Sequence, residues 1–379
     1  MHVNRIVHRL ILLNKLLTDL RTKSHTGDVA TVAQLAGFDE IIDTRSESEF
    51  AEDHIPGAIN CPVLNDAERA RVGTIYKQES PFDAKKLGAA LVSRNIATHI
   101  DATFAQRRRA WRPLVYCWRG GSRSSALTHV LRQVGWQAAQ LEGGYKTYRR
   151  AVIDDLEVMP QRYDWRVVCG LTGSGKSRLL RALARQGAQV LDLEALAAHR
   201  GSVLGNLPNA PQPAQKMFES LVWSALRSFD LATPVFVEAE SKKIGNLRVP
   251  QTLIAAMWES RCVRLQATIE LRVAMLMNEY RHFVADAASL GTQLDCLATH
   301  YGREQIASWK ALADSGQWNT LVRELLEMHY DPAYTRSTLK HYPQLAHSEH
   351  LVVAANEDSA FEAVAAQCLA TLSANSRAR

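Results

Sequence analysis

The 379-residue sequence has few cysteines, and none of them shows the spacing by which cysteines usually bind zinc. Its six cysteines are scattered, with no Cys-x-x-Cys pair and no matching histidine pattern. This distribution excludes a zinc ribbon and a disulfide-rich secreted domain, and it is typical of a reducing compartment. No apolar run reaches the roughly 18 residues that a membrane-spanning helix needs. We therefore expect a cytoplasmic protein that does not enter a membrane.

The sequence contains neither internal repeats nor low-complexity tracts, and its composition is that of a globular protein. Hydrophobic residues make up 46% of the chain and charged residues 22%. The length predicts roughly two or three domains. Lysine and arginine outnumber aspartate and glutamate by 45 to 39, which gives a net charge of +6. This excess is compatible with a phosphate-rich partner but does not by itself identify one.

The order of apolar segments divides the chain into three parts. Residues 1–30 contain an apolar stretch broken by polar residues and no cleavage site, which predicts an N-terminal extension rather than a signal peptide. Over 31–158, short apolar strands alternate with helices and predict a parallel α/β domain. A linker is expected at "MPQRYDWR", and 159–379 predict a second α/β unit that becomes mostly helical towards its C-terminal end.

The segment "GLTGSGKS" matches the phosphate-binding pattern G-x-x-x-x-G-K-[ST] in full. It lies between an apolar strand and a helix, where backbone N–H groups can surround phosphate oxygens and a lysine adds positive charge. The sequence therefore predicts a P-loop domain. Its candidate diphosphate-binding residues are Gly170, Thr172, Gly173, Gly175, Lys176 and Ser177.

The acidic residue that usually helps a nucleotide-hydrolysing P-loop enzyme hold magnesium is replaced here. The next candidate strand, "PVFVEAES", ends in Glu238 and Glu240 instead of an aspartate. Glu238 is a candidate for a substrate or metal contact. The loop selects a diphosphate and not a nucleobase, so ATP hydrolysis is not implied. We expect no tightly bound cofactor and no dedicated metal site, although Mg²⁺ could accompany a diphosphate.

The segment "VYCWRGGSRSSAL" places Cys117 after an apolar strand and before a helix that begins near Ser122. A helix N-terminus, free backbone N–H groups and nearby arginines favour a nucleophilic thiolate and also an incoming oxyanion. The alternative is a small apolar residue at the end of a strand. Because glycines and arginines flank it, we favour a catalytic Cys117. The candidate anion-binding residues are Arg119, Gly120, Gly121 and Arg123.

Three other segments combine residue types that suit RNA or a substrate. The segment "QRRRAWR" places four arginines beside a tryptophan, and it either binds phosphates and stacks a base or forms a solvated helix face. "AHRGS" and "SKKIGNLRVP" supply further polar and basic side chains. The candidate residues in these segments are Arg107, Arg108, Arg109, Trp111, Arg112, His199, Arg200, Lys242 and Lys243.

Residues from about 30 to 150 resemble the rhodanese family, whose domains carry sulfur or its congeners on a cysteine. The resemblance lies in "EFAEDHIPGAINCP", the Cys117 loop and "LEGGYKTYR". Five residues separate Cys117 from Arg123, as in related phosphatases, whereas common sulfurtransferases have four. Asp43 and Arg45 are expected to orient the loop from below.

With "AERARVGTIYKQ", "GLTGSGKS", "DLEALAAHRGS", "VFVEAESKKIG" and "YDPAY", the chain from about 38 to 340 resembles the tRNA 2-selenouridine synthases. The resemblance implies a rhodanese-like parallel α/β domain followed by a P-loop NTPase-like α/β domain with a helical C-terminal region. It implies an enzyme, a selenotransferase and geranyltransferase, that converts wobble 2-thiouridine of tRNA to 2-selenouridine. A geranyl group from geranyl diphosphate is first placed on sulfur, and selenophosphate then supplies selenium.

The same resemblance implies roles for the candidate residues. Cys117 would carry or deliver selenium, the adjoining arginines would hold selenophosphate, and the P-loop would bind geranyl diphosphate. His199 and Arg200 would contact a substrate, and the basic segments would contact tRNA. A monomer is favoured. Two alternatives stay open: a P-loop kinase with an inactive rhodanese module, and a cysteine-based sulfurtransferase or phosphatase-like relay module.

Overall fold

The computed structural model describes residues 28–202, 204–207, 210–281 and 287–377. The chain forms two compact units, of which the first ends at Asp154 and the second begins at Asp155. Residues 1–27 of the predicted N-terminal extension lie outside the described residues. In the part of the chain that is described, no helix is long and apolar enough to cross a membrane.

The first unit is built on a five-stranded parallel sheet in the order β1-β5-β4-β2-β3. Its strands are β1 (Val29–Ala30), β2 (Glu40–Asp43), β3 (Ile59–Asn60), β4 (Pro113–Tyr116) and β5 (Ala139–Leu141). Its helices are α1 (Glu47–Glu52), α2 (Asp66–Gln78), α3 (Pro81–His99), α4 (Ser122–Val134) and α5 (Gly144–Val158), with a 3₁₀ turn at Val32–Gly37 and a π turn at Ile100–Phe104. The α/β alternation is as predicted.

The predicted extension over residues 1–30 needs a correction at its C-terminal end. Val29 and Ala30 form β1, which pairs with Gln140 and Leu141 of β5. A strand that pairs with the sheet belongs to the first unit, so the extension ends before Val29.

The second unit contains another five-stranded parallel sheet, in the order β12-β11-β6-β8-β7. Its strands are β6 (Trp165–Cys169), β7 (Gln189–Leu191), β8 (Val235–Glu238), β11 (Arg261–Gln266) and β12 (Glu349–Val352). A short antiparallel hairpin is formed by β9 (Lys243–Ile244) and β10 (Leu247–Arg248). The sheet is covered by α6 (Lys176–Arg185), α7 (Leu193–Leu196), α8 (Gln215–Ser228), α9 (Gln251–Glu259), α10 (Ile269–Glu279) and α15 (Asp358–Arg377).

The helical region expected after residue 269 is present. Beyond α10 it contains α11 (Ala287–Asp295), α12 (Ala298–Asp314), α13 (Trp318–Glu324), a π turn at Leu325–Tyr330, α14 (Asp331–His341) and a 3₁₀ turn at Pro343–His347. Its own core surrounds Trp309, which is fully buried among leucines such as Leu294 and Leu321. The predicted architecture, a parallel α/β unit followed by a second α/β unit with a helical C-terminal region, is thus confirmed.

The predicted linker "MPQRYDWR" is packed structure. Met159 and Pro160 are buried in a 3₁₀ turn, and Trp165 begins β6. The hydroxyl of Tyr163 donates to the carbonyl of Leu226 at 2.6 Å, and the indole N–H of Trp165 donates to that of Pro160 at 2.7 Å. The aromatic side chains hold this stretch in the core of the second unit, which sparse periodicity in the sequence did not indicate.

Candidate active sites

Both candidate loops follow the central strand of their sheet. Cys117 comes directly after β4, and Gly170–Ser177 follows β6. A helix begins at the end of each loop, α4 at Ser122 and α6 at Lys176. In an open parallel sheet, the carboxyl end of a strand whose neighbours connect in opposite directions borders a crevice, and a helix N-terminus there suits an anion.

The thiol of Cys117 lies at the floor of its loop, where the residue is only 3% exposed. The hydroxyl of Ser124, on the first turn of α4, is 3.1 Å from Sγ and can donate to it or to the carbonyl of Gly121. The side-chain amide of Gln140 donates to Ser124 Oγ at 2.8 Å and to the carbonyl of Gly120 at 2.6 Å. This chain of donors orients the Ser124 hydroxyl towards the sulfur.

Ser124 and Gln140 are site residues that sequence reasoning missed. Ser124 directly follows the arginine of the Cys-x₅-Arg segment, so its position in the motif was a usable signal. Gln140 comes from β5 and meets the loop only because β5 pairs with β4. Cys61, by contrast, is buried in the hydrophobic core, and burial raises the pKa of its thiol to about 12.

The motif "LEGGYKTYR" supports the Cys117 loop from behind. The N–H of Tyr145 donates to the carbonyl of Cys117 at 2.8 Å, and the N–H of Lys146 donates to that of Trp118 at 3.0 Å. Gly144 has φ +60°, and a Cβ there would lie 2.3 Å from the Cys117 carbonyl oxygen. Only glycine permits both the left-handed backbone and this close approach.

The two arginines of the anion loop differ in their surroundings. Arg119 is exposed, whereas Arg123 contacts Glu49 of α1, with Nη1 3.0 Å from Oε2. Burial disfavours ionisation of Glu49, but the hydrogen bond and charge of Arg123 outweigh it and keep the pKa of that carboxyl below its usual range. Arg123 is therefore held near the loop by an ionised partner.

A buried ion pair lies beneath this loop. Arg45 Nη2 is 2.6 Å from Asp43 Oδ2 and also donates to the carbonyl of Asp53, and both charged residues are almost fully buried. Burial opposes the charge of Arg45, but the hydrogen bond and charge of Asp43 outweigh it, so the pKa of Arg45 is raised further. The guanidinium covers the ring of Tyr145 at 4.0 Å, which connects the pair to the loop support.

The predicted basic segment is not beside Cys117. It precedes Pro113, the first residue of β4, whereas Cys117 follows the last, so the two lie at opposite ends of one strand. Arg107 and Arg112 pair with acidic residues of the unit, and Arg108 and Arg109 are exposed. The prediction that Trp111 stacks a base is wrong, because that ring is 7% exposed and packs against Phe104 and Trp136 in the core.

The P-loop has the conformation that its sequence predicts. Gly173 and Gly175 have φ +79° and +85°, and a Cβ at Gly175 would lie 2.5 Å from the ring of Phe361. Lys176 Nζ donates to the carbonyl of Gly170 at 2.8 Å, across the mouth of the loop. The loop is fixed from outside by Arg272, whose Nε donates to the carbonyl of Thr172 and whose guanidinium binds Asp331 of α14.

Three glutamates lie next to the P-loop. Ser177 Oγ donates to Glu194 Oε2 at 2.8 Å, and the N–H of Glu194 donates to Glu238 Oε1 at 2.9 Å. Glu240 and Glu194 line the cavity in front of the loop. Burial, followed by repulsion from Glu194, raises the pKa of Glu240 to about 8.

Glu238 was predicted to contact a substrate or metal, and this assignment needs a correction. The residue is 1% exposed, does not line the cavity, and uses one carboxylate oxygen on the backbone of Glu194. Burial first, then nearby carboxylates, raises the pKa of Glu238 well above its usual range. Glu194, which the sequence analysis did not select, occupies the place next to Ser177 instead.

Of the two residues predicted to contact a substrate in "AHRGS", the structure places one at the cavity and the other away from it. Arg200 lines the cavity, and its side chain contacts Glu279 and the ring of Tyr280. His199 is 4% exposed, and its Nδ1 accepts the N–H of Gly201. The side chain therefore shapes the loop and does not contact a substrate. Burial lowers the pKa of His199.

The predicted tRNA-binding lysines Lys242 and Lys243 are exposed and do not line the cavity. Lys242 Nζ lies over the ring of Trp258, 5.3 Å from its centroid.

The cavity at the P-loop has a volume of about 790 Å³ and is lined by charged residues of both signs. It adjoins a narrow apolar pocket of about 60 Å³ at the helical region. The two spaces share Thr172, Ser202, Leu276, Tyr280 and Tyr330 in their walls. Deeper in the pocket the lining is aliphatic and aromatic, and it consists of Leu204, Met277, Leu290, Trp318, Leu321, Val322, Leu325 and Leu326.

Among the residues that the structure describes, no group of three or more histidine, cysteine, aspartate or glutamate side chains is arranged to hold a metal ion. The second unit offers a phosphate-binding loop with a neighbouring apolar pocket, and the first unit offers a thiol in an anion-binding loop. Fold and loops together define a fusion of a rhodanese-like unit with a P-loop unit.

Comparisons with known proteins agree with this division. Residues 18–151 match the model of the rhodanese-like domain, and residues 163–308 match that of the tRNA 2-selenouridine synthase AAA domain. A solved structure, the N-terminal domain of a Clostridium difficile 630 protein described as ATP/GTP-binding, is 36% identical over 33% of this chain and 98% of that chain, with a TM-score of 0.30.

Two relatives with the name tRNA 2-selenouridine synthase define the family. The protein of Marinobacter nauticus is 37% identical over 63% of this chain and 65% of its own length. That of Shewanella halifaxensis is 31% identical over 78% of this chain and 87% of its own length. The match thus spans just under two thirds of the first relative and most of the second. The chain belongs to the tRNA 2-selenouridine synthase family, which confirms the resemblance inferred from its motifs.

Proposed function

We propose that this chain replaces the sulfur of wobble 2-thiouridine in tRNA with selenium, in two chemical steps at its two loops. The second unit transfers a geranyl group from geranyl diphosphate to the sulfur. The first unit then uses selenophosphate to introduce selenium. Family membership supports the overall reaction, and the chemistry of each loop supports its share of it.

The observation that carries the proposal is the apolar pocket that adjoins the P-loop cavity. A nucleotide needs a site for a base and a ribose next to its phosphates, whereas geranyl diphosphate needs a site for a branched hydrocarbon. The shared wall at Thr172, Leu276 and Tyr330 connects the phosphate cradle to a pocket of leucines. Burial of hydrocarbon in such a pocket stabilises binding by roughly 25 cal/mol for each Å² removed from water.

Alkylation at the P-loop makes the sulfur a better leaving group. The sulfur of the base bonds to C1 of the geranyl group, the C1–O bond breaks, and diphosphate leaves. Lys176 and the backbone N–H groups of the loop stabilise the negative charge that develops on the diphosphate. If Mg²⁺ enters with the diphosphate, the hydroxyl of Ser177 would help to hold it, and the ion would offset the negative charge of the diphosphate.

For the second step we favour attack of Cys117 on phosphorus over a selenium adduct. A sulfur–selenium bond formed from thiolate and selenophosphate would require phosphorus to accept two electrons or an external oxidant. Attack on phosphorus requires neither: the S–P bond forms, the P–Se bond breaks, and selenium leaves as hydrogen selenide with the bonding pair. Hydrogen selenide then bonds to C2 of the geranylated base, geranyl thiolate leaves, and water releases phosphate from Cys117.

The loop suits a phosphoryl group on Cys117. Ser124 is positioned to donate to Sγ, and α4 directs its N-terminus at the loop. Among the backbone-to-backbone hydrogen bonds that the described residues form outside regular helices and strands, none uses the N–H groups of residues 118–123. These groups are therefore free to bind three phosphate oxygens.

The overall reaction is tested by nucleoside mass spectrometry of thiolated tRNA incubated with geranyl diphosphate and selenophosphate. We expect selenouridine from the wild type, accumulation of the geranylated nucleoside with Cys117→Ala, and unmodified thiouridine with Lys176→Ala. Unchanged thiouridine with the wild type, together with ATP consumption, would refute the proposal in favour of a P-loop kinase.

The covalent step is tested with selenophosphate that carries radioactive phosphorus in one reaction and radioactive selenium in a parallel one. After rapid quenching in denaturant, we expect phosphorus on the peptide that contains Cys117 and selenium only in the tRNA or in solution. Selenium on that peptide would contradict phosphoryl transfer and restore the selenium adduct that the family resemblance implies.

A further inference from the structure

An exposed tryptophan lies next to the candidate nucleophile. Trp118 directly follows Cys117 and keeps 37% of its surface exposed, whereas Trp111, the tryptophan of the basic segment, is buried. A large aromatic side chain exposed on the rim of an active-site loop offers a flat apolar face on which a planar partner can pack.

The indole of Trp118 is held in place from one side. Its ring packs against that of Tyr145, with centroids 5.2 Å apart and the planes inclined by 31°. Tyr145 is itself fixed, because its hydroxyl donates to Asp53 at 2.7 Å and the guanidinium of Arg45 covers its ring. The backbone of Trp118 is fixed as well, since its carbonyl accepts the N–H of Lys146. The aromatic surface is therefore preorganised.

The charge around this ring favours a nucleic acid. Arg119 and Lys146 flank Trp118 and are both exposed. Throughout the described ranges, no carboxylate lies within ion-pair distance of either side chain. An exposed aromatic ring among uncompensated cations is how proteins bind unpaired nucleotides, with the ring stacking a base and the cations contacting the phosphates. A docking surface for a protein would instead present a larger apolar patch.

We propose that Trp118 is a stacking platform for the unpaired wobble base of the RNA substrate. Arg119 and Lys146 contact the phosphates on either side of that base. Stacking places the base next to Cys117, where selenium is released. Trp118 is thus a positioning residue and takes no part in bond formation, and the inference rests on the proposed function.

The test compares Trp118→Ala and Trp118→Phe by their affinity for an anticodon stem-loop RNA that contains S-geranyl-2-thiouridine. We expect Trp118→Ala to weaken binding roughly tenfold or more and Trp118→Phe to stay within a few-fold of the wild type. Tyr76→Ala serves as a matched control, because Tyr76 is another exposed aromatic residue, on α2. The rate of Cys117 alkylation reports that the loop of each variant is intact.

A second RNA that lacks the wobble base separates stacking from other effects. This RNA should bind the wild type more weakly, and Trp118→Ala should cause no further loss. Equal losses for both RNAs, or unchanged binding by Trp118→Ala, would overturn the inference. An RNA that binds in a Trp118-dependent manner but is not converted by the wild type would instead contradict the proposed function, so the two failures are distinguishable.

Discussion

The hydroxyl of Ser124 is a small group on which the reactivity of Cys117 depends. It lies 3.1 Å from Sγ, and the residue is fully buried, so no water replaces the hydroxyl if it is removed. A hydrogen bond of this kind contributes roughly 1 kcal/mol, and more when negative charge develops on the acceptor. Removal of the Ser124 hydroxyl should therefore lower the reactivity of the sulfur.

We expect Ser124→Ala to slow alkylation of Cys117 by iodoacetamide roughly tenfold at neutral pH, because the reacting sulfur loses its side-chain hydrogen-bond donor. The measurement is the alkylation rate of each variant at one fixed pH. Ser125→Ala is the matched control, since the Ser125 side chain is exposed on the next position of α4. An unchanged rate with Ser124→Ala would show that the hydroxyl donates to the Gly121 carbonyl and not to sulfur.

Glu240 makes the free energy of unfolding of the second unit depend on pH. Its folded pKa of about 8 lies above the ordinary value of 4.5, so the folded protein keeps a proton that the unfolded chain releases. The contribution of Glu240 to the free energy of unfolding therefore falls as the pH rises from 4.5 to 8, and it is constant above pH 8. Ligands that bring positive charge close to Glu240 would favour its ionised form.

We predict that Glu240→Gln makes this fall smaller, by a few kcal/mol across the window, because glutamine does not ionise. Urea unfolding followed at several pH values measures it. Glu357→Gln, at an exposed position, should leave the profile as in the wild type. A profile for Glu240→Gln as steep as that of the wild type would mean that Glu194 and Glu238 cause the whole dependence.

Among the elements, the turn between β5 and α5 determines how the Cys117 loop is held. Two consecutive N–H groups at the start of α5 bind the carbonyls of Cys117 and Trp118, and Gly144 is the point of closest approach. The second glycine of "LEGGYKTYR" is thus explained by packing against a loop that lies more than twenty residues earlier in the chain.

Gly144→Ala should destabilise the first unit by about 2–3 kcal/mol, because it combines a left-handed backbone with a contact that the fixed backbone cannot relieve. Thermal unfolding and Cys117 alkylation are the two measurements, and both should change. Gly73→Ala is the control: this glycine lies within α2 with nothing within 4 Å of a Cβ, so alanine should stabilise slightly. An unaffected Gly144→Ala would refute the support role of this turn.

At the scale of the whole molecule, the proposed function assigns its two chemical steps to two compact units that would act on the same tRNA. In that proposal the intermediate of the first step is carried on the RNA and not on the protein. It can therefore leave one protein molecule and be completed by another, unlike an intermediate that is bound covalently to the enzyme.

We predict that a mixture of Cys117→Ala and Lys176→Ala regains part of the selenouridine formation that each variant lacks alone. Nucleoside mass spectrometry of the mixture, with each variant by itself as the control, measures the recovery. Dilution into an excess of unmodified competitor tRNA should reduce it further. Absence of product in the mixture, with both variants folded, would mean that the geranylated tRNA does not exchange between molecules.

The sequence alone determined the class of both units and the place of both loops. Phosphate loops and cysteine loops are local: their glycines, lysine, arginines and thiol lie within eight residues, next to a strand and a helix that short-range periodicity predicts. Such patterns can be recognised in a sequence because the backbone conformation of a turn is set by the residues in it.

Tertiary structure alone decided which of the candidate side chains reach a site. Trp111 is buried and Trp118 is exposed, although each is followed directly by an arginine in the sequence. Glu194 lies next to Ser177, while Glu238 lies behind it. Burial and pairing depend on strand order, which brings together residues far apart in the chain, as Gln140 of β5 is brought to Ser124 of α4. No local pattern contains that order, and so only the folded chain reveals it.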